Sequence, residues 1–421
     1  MRRLYRHGDH PASCPLLHRI RRRCAAPPRK RDQRAWRFPV ARHVKIIRVA
    51  QGGTVAFYIS GHGFGHASRQ VEIINALCAV WPAGRVMVRT SAPQWLVDRS
   101  LTHPFTFVAG DTDTGVIQVD SLHVDASASI AQAWAFHSRL DARADEEATV
   151  LAQHDTRLVV ADAPALGCAA AHRAGVPALV VSNFTWDWIY AHYARHLVET
   201  PRLLPTIREA YRTTQAALRL PMSGGFEPFD MVVDVPLVAR LASRGAAETR
   251  SLLGLPADRP VALLSFGRYG LGAIDWAEVG RNRELSVLLT HDPVDVGQRV
   301  PSTIANNVFQ LDGTSLAERG IRYQDLVAAA DVVLTKPGYG IIAECAANDT
   351  ALVYTSRGDF AEYPVLVAAM PTLLRCAYLE QDDLYAGRWM PAVQHALNQP
   401  SVERPRSDGA AVVARHLTRY L

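Results

Sequence analysis

A chain of 421 residues with 48% hydrophobic and 20% charged side chains is a globular protein with room for two substantial cores. It has no apolar run of about 18 residues with which to span a membrane. The net charge of +6 does not make it a nucleic-acid binder, because residues 1–48 hold 15 of the 46 Lys and Arg against only Asp9 and Asp32, which puts +13 on that segment and −7 on the rest.

The basic segment, residues 1–50, lacks apolar periodicity and contains Pro27-Pro28, so the expectation is a disordered extension. Arg21-Arg22-Arg23 and Arg29-Lys30-Arg31 would suit nucleic acid or anionic lipid, and an Arg-rich organelle presequence has a similar composition. An upstream extension from a misplaced start is the simplest of the three. Without an apolar stretch of about 7–15 residues it is no secretory signal, and peripheral membrane contact is the most it implies. Six cysteines, at 14, 24, 78, 168, 345 and 376, form no Cys-x-x-Cys pair. Cys78, Cys168 and Cys345 lie in apolar helical patterns as small hydrophobes, which fits a reducing cytoplasm.

Residues 55–60 then read as a buried strand, and Ala67, Val71, Ile74 and Leu77 mark one face of a following helix. Between them, Gly61, Gly63 and Gly65 let the backbone turn sharply and approach a ligand, with free N–H groups and a helix dipole aimed at one spot. His66, at the mouth of that helix, could take a proton from a substrate hydroxyl. A glycine-rich turn with two incidental histidines is the alternative.

Strands and helices alternate from here on. Residues 85–90, 158–161 and 178–182 continue a first half, and 261–266, 287–290, 308–311, 332–335 and 352–355 make a second. The fold expected is α/β, with two doubly wound parallel domains facing a crevice: 53–236, a hinge at Asp234-Val235-Pro236-Leu237, and 237–395. Residues 396–421 are expected to form a helix packing back on the first domain.

Several clusters fall at strand ends, where such crevices bind ligands. Gly267-Arg268-Tyr269-Gly270 is a second glycine turn with a cation for phosphate. Lys336-Pro337-Gly338-Tyr339-Gly340 precedes a helix carrying Glu344, whose carboxylate could accept from both hydroxyls of a ribose, although a solvated glutamate would look the same. Asp162-Ala163-Pro164 ends one strand. Asn183-Phe184-Thr185-Trp186-Asp187-Trp188 ends another, its tryptophans suiting either a sugar face or a loop core. Arg357 to Pro364, with Glu362, adds charge at the same rim.

Five of these segments together, the first turn, 183–190, 230–238, 336–344 and 357–364, resemble in order the glycosyltransferase-like N-terminal region of L-arabinokinases over residues 54–395. More distantly they look like GT-B glycosyltransferases, including the N-acetylglucosaminyltransferase of peptidoglycan-precursor synthesis. Arabinokinases continue into a GHMP-type kinase domain. No second phosphate loop follows residue 365, so phosphorylation is not expected here.

The resemblance implies two Rossmann-like domains and a nucleotide diphosphate sugar donor, most often uridine-linked, bound without metal or other cofactor. It implies Glu344 on the ribose, with Gly267, Arg268, Lys336, Gly338, Gly340 and Glu362 around the donor. His66 would deprotonate an acceptor hydroxyl of unknown identity, and Asp187 or Asp162 would orient the base or the acceptor, with Asn183 and Trp186 on the acceptor side. Asp111-Thr112-Asp113 has the pattern by which another glycosyltransferase fold holds a divalent metal but lacks its single-domain context, and His62 with His66 lacks a third ligand for zinc. A non-catalytic sugar or nucleotide sensor, or a nucleotide-sugar hydrolase or epimerase, are the competing functions.

Overall fold

The computed structural model describes residues 52–120, 122–267, 274–291 and 306–421. Its first strand, β1 (Thr54–Ile59), is buried at every position. A strand so uniformly apolar belongs in the middle of a parallel sheet with helices on both faces. The other strands of that sheet are β2 (Arg85–Thr90), β3 (Thr106–Ala109), β6 (Thr156–Asp162), β7 (Ala178–Phe184), β8 (Ala216–Gly224) and β9 (Val232–Asp234). Strands β4 (Ile117–Gln118) and β5 (Val124–Asp125) form a separate antiparallel pair.

All neighbours in the large sheet run parallel, in the order β3-β2-β1-β6-β7-β8-β9. The second sheet contains β10 (Val261–Ser265), β11 (Ser286–His291), β12 (Val308–Asp312), β13 (Val332–Thr335), β14 (Ala351–Tyr354) and β15 (Cys376–Tyr378). It is also parallel, ordered β12-β11-β10-β13-β14-β15. The strand order reverses between β1 and β6 in one sheet and between β10 and β13 in the other. At such a switch point the connections leave in opposite directions and open a crevice at the carboxyl ends. Register makes the neighbours explicit: Ile59 lies beside Asp162, and Ser265 beside Thr335.

The helix Phe64–Val80 covers the first sheet with Ala67, Val71, Ile74 and Leu77, each at most 1% exposed. Burying one such aliphatic side chain is worth about 1.5–3 kcal/mol. Val413, Ala414 and Leu417 of the helix Gly409–Leu417 join the same core. That helix enters beside the segment leaving β9. The Leu237 N–H donates to Arg406 O (3.2 Å), the Gly409 N–H donates to Leu237 O (3.0 Å), and Val238 bridges Asp408 in antiparallel sense. Cys78, Cys168 and Cys345 are buried in helices. No helix among the described residues is long and apolar enough to cross a membrane.

Four strands of these sheets, β3, β8, β9 and β15, are absent from the sequence reading. Residue 234, read as part of the hinge, ends β9; the connecting segment then runs from residue 235 to the helix Ala246–Leu253.

Candidate active site

The turn after β1 carries Gly63 at φ +81°, a left-handed conformation that favours glycine, as the N-cap of Phe64–Val80. It places His66 in the helix's first turn, 8% exposed, directly above the end of β6. Because Asp162 is the last residue of β6 and neighbours Ile59, its carboxylate meets the ring: His66 Nδ1 lies 2.7 Å from Asp162 Oδ2. Arg69, one turn further along the helix, donates from Nη2 to Asp162 Oδ1 and from Nη1 to Asn183 Oδ1 (2.5 Å). Asn183 in turn donates to Pro221 O at 2.6 Å. Burial pushes the Asp162 carboxyl up, but the Arg69 and His66 charges outweigh it and hold the group below its ordinary range. Asp162 is therefore an ionised acceptor that fixes the orientation of the imidazole.

The residue after it, Ala163, has φ +66°, an uncommon state for a side chain with a Cβ. Its carbonyl accepts from the Tyr211 hydroxyl at 2.6 Å, which ties the strained turn to the helix Leu203–Tyr211. Strain of order 1–2 kcal/mol, held by a buried hydrogen bond, commonly accompanies functional sites.

A second buried carboxylate, Asp113, stands close by. It accepts from Ser60 Oγ (3.0 Å) and Trp186 Nε1 (2.7 Å), and burial raises its carboxyl to about 6 against the opposing pull of His66 and these two donors. Trp186 is 1% exposed and stacks on Tyr190 with ring centres 5.4 Å apart, so it is part of the domain interior. His62 meets the Trp186 edge (5.9 Å) and pairs with Gln118 (3.2 Å). Burial first, then the charges of His66, Arg357 and Lys336, lower its ring to about 3, so His62 is neutral at physiological pH.

The second sheet brings its own turn to this place. Gly338 caps the helix Tyr339–Asn348, and a Cβ on Gly340 would come 3.9 Å from Gly65 Cα, so the starts of two helices meet across the crevice. Tyr339 packs on Phe184 (5.8 Å), itself edge-on to His66 (5.5 Å). Lys336, after β13, is pulled down to about 7, chiefly by burial and then by Arg357. Arg357 stacks 3.8 Å over Phe360 and lies 3.9 Å from Glu362. Asp359 reaches the other half, where His192 Nε2 lies 2.6 Å from its Oδ1.

The structure thus joins His66, Asp162 and Asn183 through Arg69, and brings the first glycine turn against the Lys336–Gly340 turn where Gly65 meets Gly340. Gly267 lies two residues beyond the end of β10, at φ +70°, and the Ser265–Thr335 register sets the end of β10 beside the strand that leads into Lys336. Arg268 lies outside the described residues. The two carboxylates offered for His66 separate, and the two side chains expected on the acceptor side turn inward. Asp187 is 1% exposed and pairs with Arg208 (2.7 Å), so Asp162 is the carboxylate that touches His66. Asn183 and Trp186 direct their polar atoms inward, to Arg69 and Asp113. Glu344, 5% exposed, is held by Arg240 Nε at 2.5 Å. Arg69 had no role in the sequence reading, and Asp113 entered it only within the Asp111-Thr112-Asp113 metal pattern that was set aside. Arg69 was detectable, since three residues after His66 on a helix is the same face; Asp113 was not, because its partners lie 53 and 73 residues away.

No protein-family model matches the chain. It is 30% identical over 369 residues to the L-arabinokinase of Arabidopsis thaliana, an alignment that takes in 86% of this chain and 34% of that protein. The chain thus spans about a third of the length of that relative. Among solved structures it resembles the glycotransferase of kitacinnamycin (18% identity, TM-score 0.59, 88% of this chain and 99% of that one). It also resembles the calicheamicin glycosyltransferase CalG4 (16%, 0.58, 88% and 98%). A third likeness is to a UDP-glucosyltransferase from Polygonum tinctorium (14%, 0.55, 88% and 94%). The chain therefore has the GT-B fold of two Rossmann-like domains and is similar, over most of its length, to the glycosyltransferase-like region of L-arabinokinase.

Proposed function

We propose that the protein is a glycosyltransferase that moves a sugar from a nucleoside diphosphate sugar, UDP-linked, to a hydroxyl acceptor. The observation that carries this reading is the His66–Asp162 pair at one switch point, set against the Gly338–Gly340 turn of the other. Asp162 accepts the proton of Nδ1, which leaves the Nε2 lone pair to receive a proton from the acceptor. The hydroxyl then attacks the anomeric carbon as the diphosphate departs, and a direct displacement of this kind inverts the configuration.

The leaving group needs positive charge without a metal. Two helix starts brought together repel each other, and an anion between them turns that repulsion into attraction. Lys336 and Arg357 add cationic charge at the same place, and Gly338 and Gly340 let the backbone N–H groups come close. Glu344 holds the ribose. The residues up to about 236 carry the acceptor base and those from 237 to 395 the donor site.

Thermal unfolding of the full chain with UDP, GDP, ADP and CMP tests the donor side. UDP at a hundred times its dissociation constant should stabilise the fold by about 2.7 kcal/mol, and Glu344→Gln should abolish most of the effect. A shift with none of the four nucleotides would sink the reading.

A further inference from the structure

Glu344 has a partner on the segment that joins the two halves. Arg240, on the connecting segment after β9, places Nε 2.5 Å from Glu344 Oε1 and its guanidinium carbon 5.6 Å from the centre of the Tyr323 ring. Tyr323 is fixed by a 2.5 Å hydrogen bond between its hydroxyl and Ser265 Oγ, at the carboxyl end of β10. A carboxylate beside an aromatic face is what a nucleoside requires: one accepts from the ribose hydroxyls and the other packs on the base. A flat guanidinium satisfies both groups in the same way. The pair is well shielded, with side-chain exposures of 17% for Arg240 and 7% for Glu344.

A second carboxylate stands near, because the helix Phe64–Val80 packs against Tyr339–Asn348, the helix that carries Glu344. Glu72, on the helix Phe64–Val80 of the first half, is raised by burial, with Glu344 adding to the rise and Arg240 and Arg322 opposing it. Arg240 thus lies within electrostatic reach of two acidic groups, one on each side of the crevice.

We infer that Arg240 holds the place of the nucleoside against Glu344 and Tyr323, and passes to Glu72 when a nucleoside diphosphate enters. This rests on the ribose role of Glu344 and adds a positioning residue to it. The exchange keeps Arg240 paired throughout, so the nucleotide does not strand a buried cation. It also couples donor binding to a new ion pair across the two halves, because Glu72 sits on the same helix as His66.

Calorimetric titration of the full chain with UDP and, separately, with inorganic pyrophosphate tests this. Arg240→Met should bind UDP about tenfold more tightly, a change of roughly 1.4 kcal/mol, with pyrophosphate affinity unaltered because that probe leaves the nucleoside pocket empty. Glu72→Gln should weaken UDP about threefold, and adding it to Arg240→Met should change nothing further. Arg240→Gln repeats the test if the methionine variant unfolds. Unchanged or weaker UDP binding in both Arg240 variants overturns the inference, as does an equal change for pyrophosphate. If Glu344→Gln leaves UDP affinity intact, the ribose assignment itself fails, and the loss is then distinguishable from a failure of Arg240 alone.

Discussion

Replacing Asp162 by Asn isolates the step that gives His66 its direction. The carboxylate accepts on both oxygens, from His66 Nδ1 at 2.7 Å and from Arg69 Nη2. An amide offers one acceptor and one donor. With its oxygen kept on Arg69, the amide NH2 confronts Nδ1 and selects the tautomer that carries its proton on Nε2, where the acceptor hydroxyl needs a lone pair. General base catalysis is worth about 10²–10⁴ in rate, so the barrier should rise by roughly 2.7–5.4 kcal/mol at 1.36 kcal/mol per tenfold. Release of UDP from UDP-glucose in the presence of an acceptor found by screening should fall by that factor. The donor KM should stay within about threefold, since a group acting only on the acceptor's proton leaves donor binding alone. His66→Ala with Asp162→Asn should be little slower than His66→Ala, because the two act as one unit. A folded Asp162→Asn protein that turns over within about threefold of the parent would refute the proton-transfer role of the pair.

Lys336 should make donor binding depend on pH: its ammonium, depressed to about 7, is charged below that value, so UDP affinity should fall as pH rises from 6 to 8.5 and lose this slope in Lys336→Met. Asp113, raised to about 6 by burial, binds its proton more tightly folded than unfolded; its contribution to stability is therefore greatest below 3.8 and lost as pH rises through about 6. The gap amounts to about 3 kcal/mol, and urea titrations of the parent against Asp113→Asn at pH 4 and 7.5 should show it shrinking by something of that order. Gly409→Ala should destabilise by about 1–3 kcal/mol in the same assay, since a Cβ there would collide with the carbonyl oxygens of Pro236 and Leu237, the latter at 2.7 Å.

The parts of this fold that were readable in the sequence are those written in consecutive residues. Residues 55–60 could be called a central strand from their composition, and the turns at Gly61–Gly65 and Gly338–Gly340 follow from glycine spacing at strand ends. The missing strands are those whose local pattern is weak. The strand β3 is half exposed at a sheet edge, β9 and β15 are three residues each, and β8 contains Pro221 and polar positions that argue against a central strand. Site pairings depend on sheet order and so could not be read locally. Asp162 ends one strand and Asp187 comes shortly after another, and either could have met His66. The parallel pairing of β1 with β6 decided it, while Arg208 on a later helix took Asp187. Arg240 against Glu344, 104 residues apart, is the same kind of information.

The chain passes between its two halves twice, and the two passages are stitched together by the hydrogen bonds of Leu237 with Arg406 and Gly409 and by the Val238–Asp408 bridge. A single tether would let one half swivel, twist and slide relative to the other. Two tethers fastened side by side leave rotation about their common line as the easy motion, much as a pair of pins turns a loose lid into a door. Each half then returns to the same seat after every swing, so Gly65 can meet Gly340 again without a search through misaligned arrangements, and cutting the chain before residue 409 should cost alignment before it costs either core.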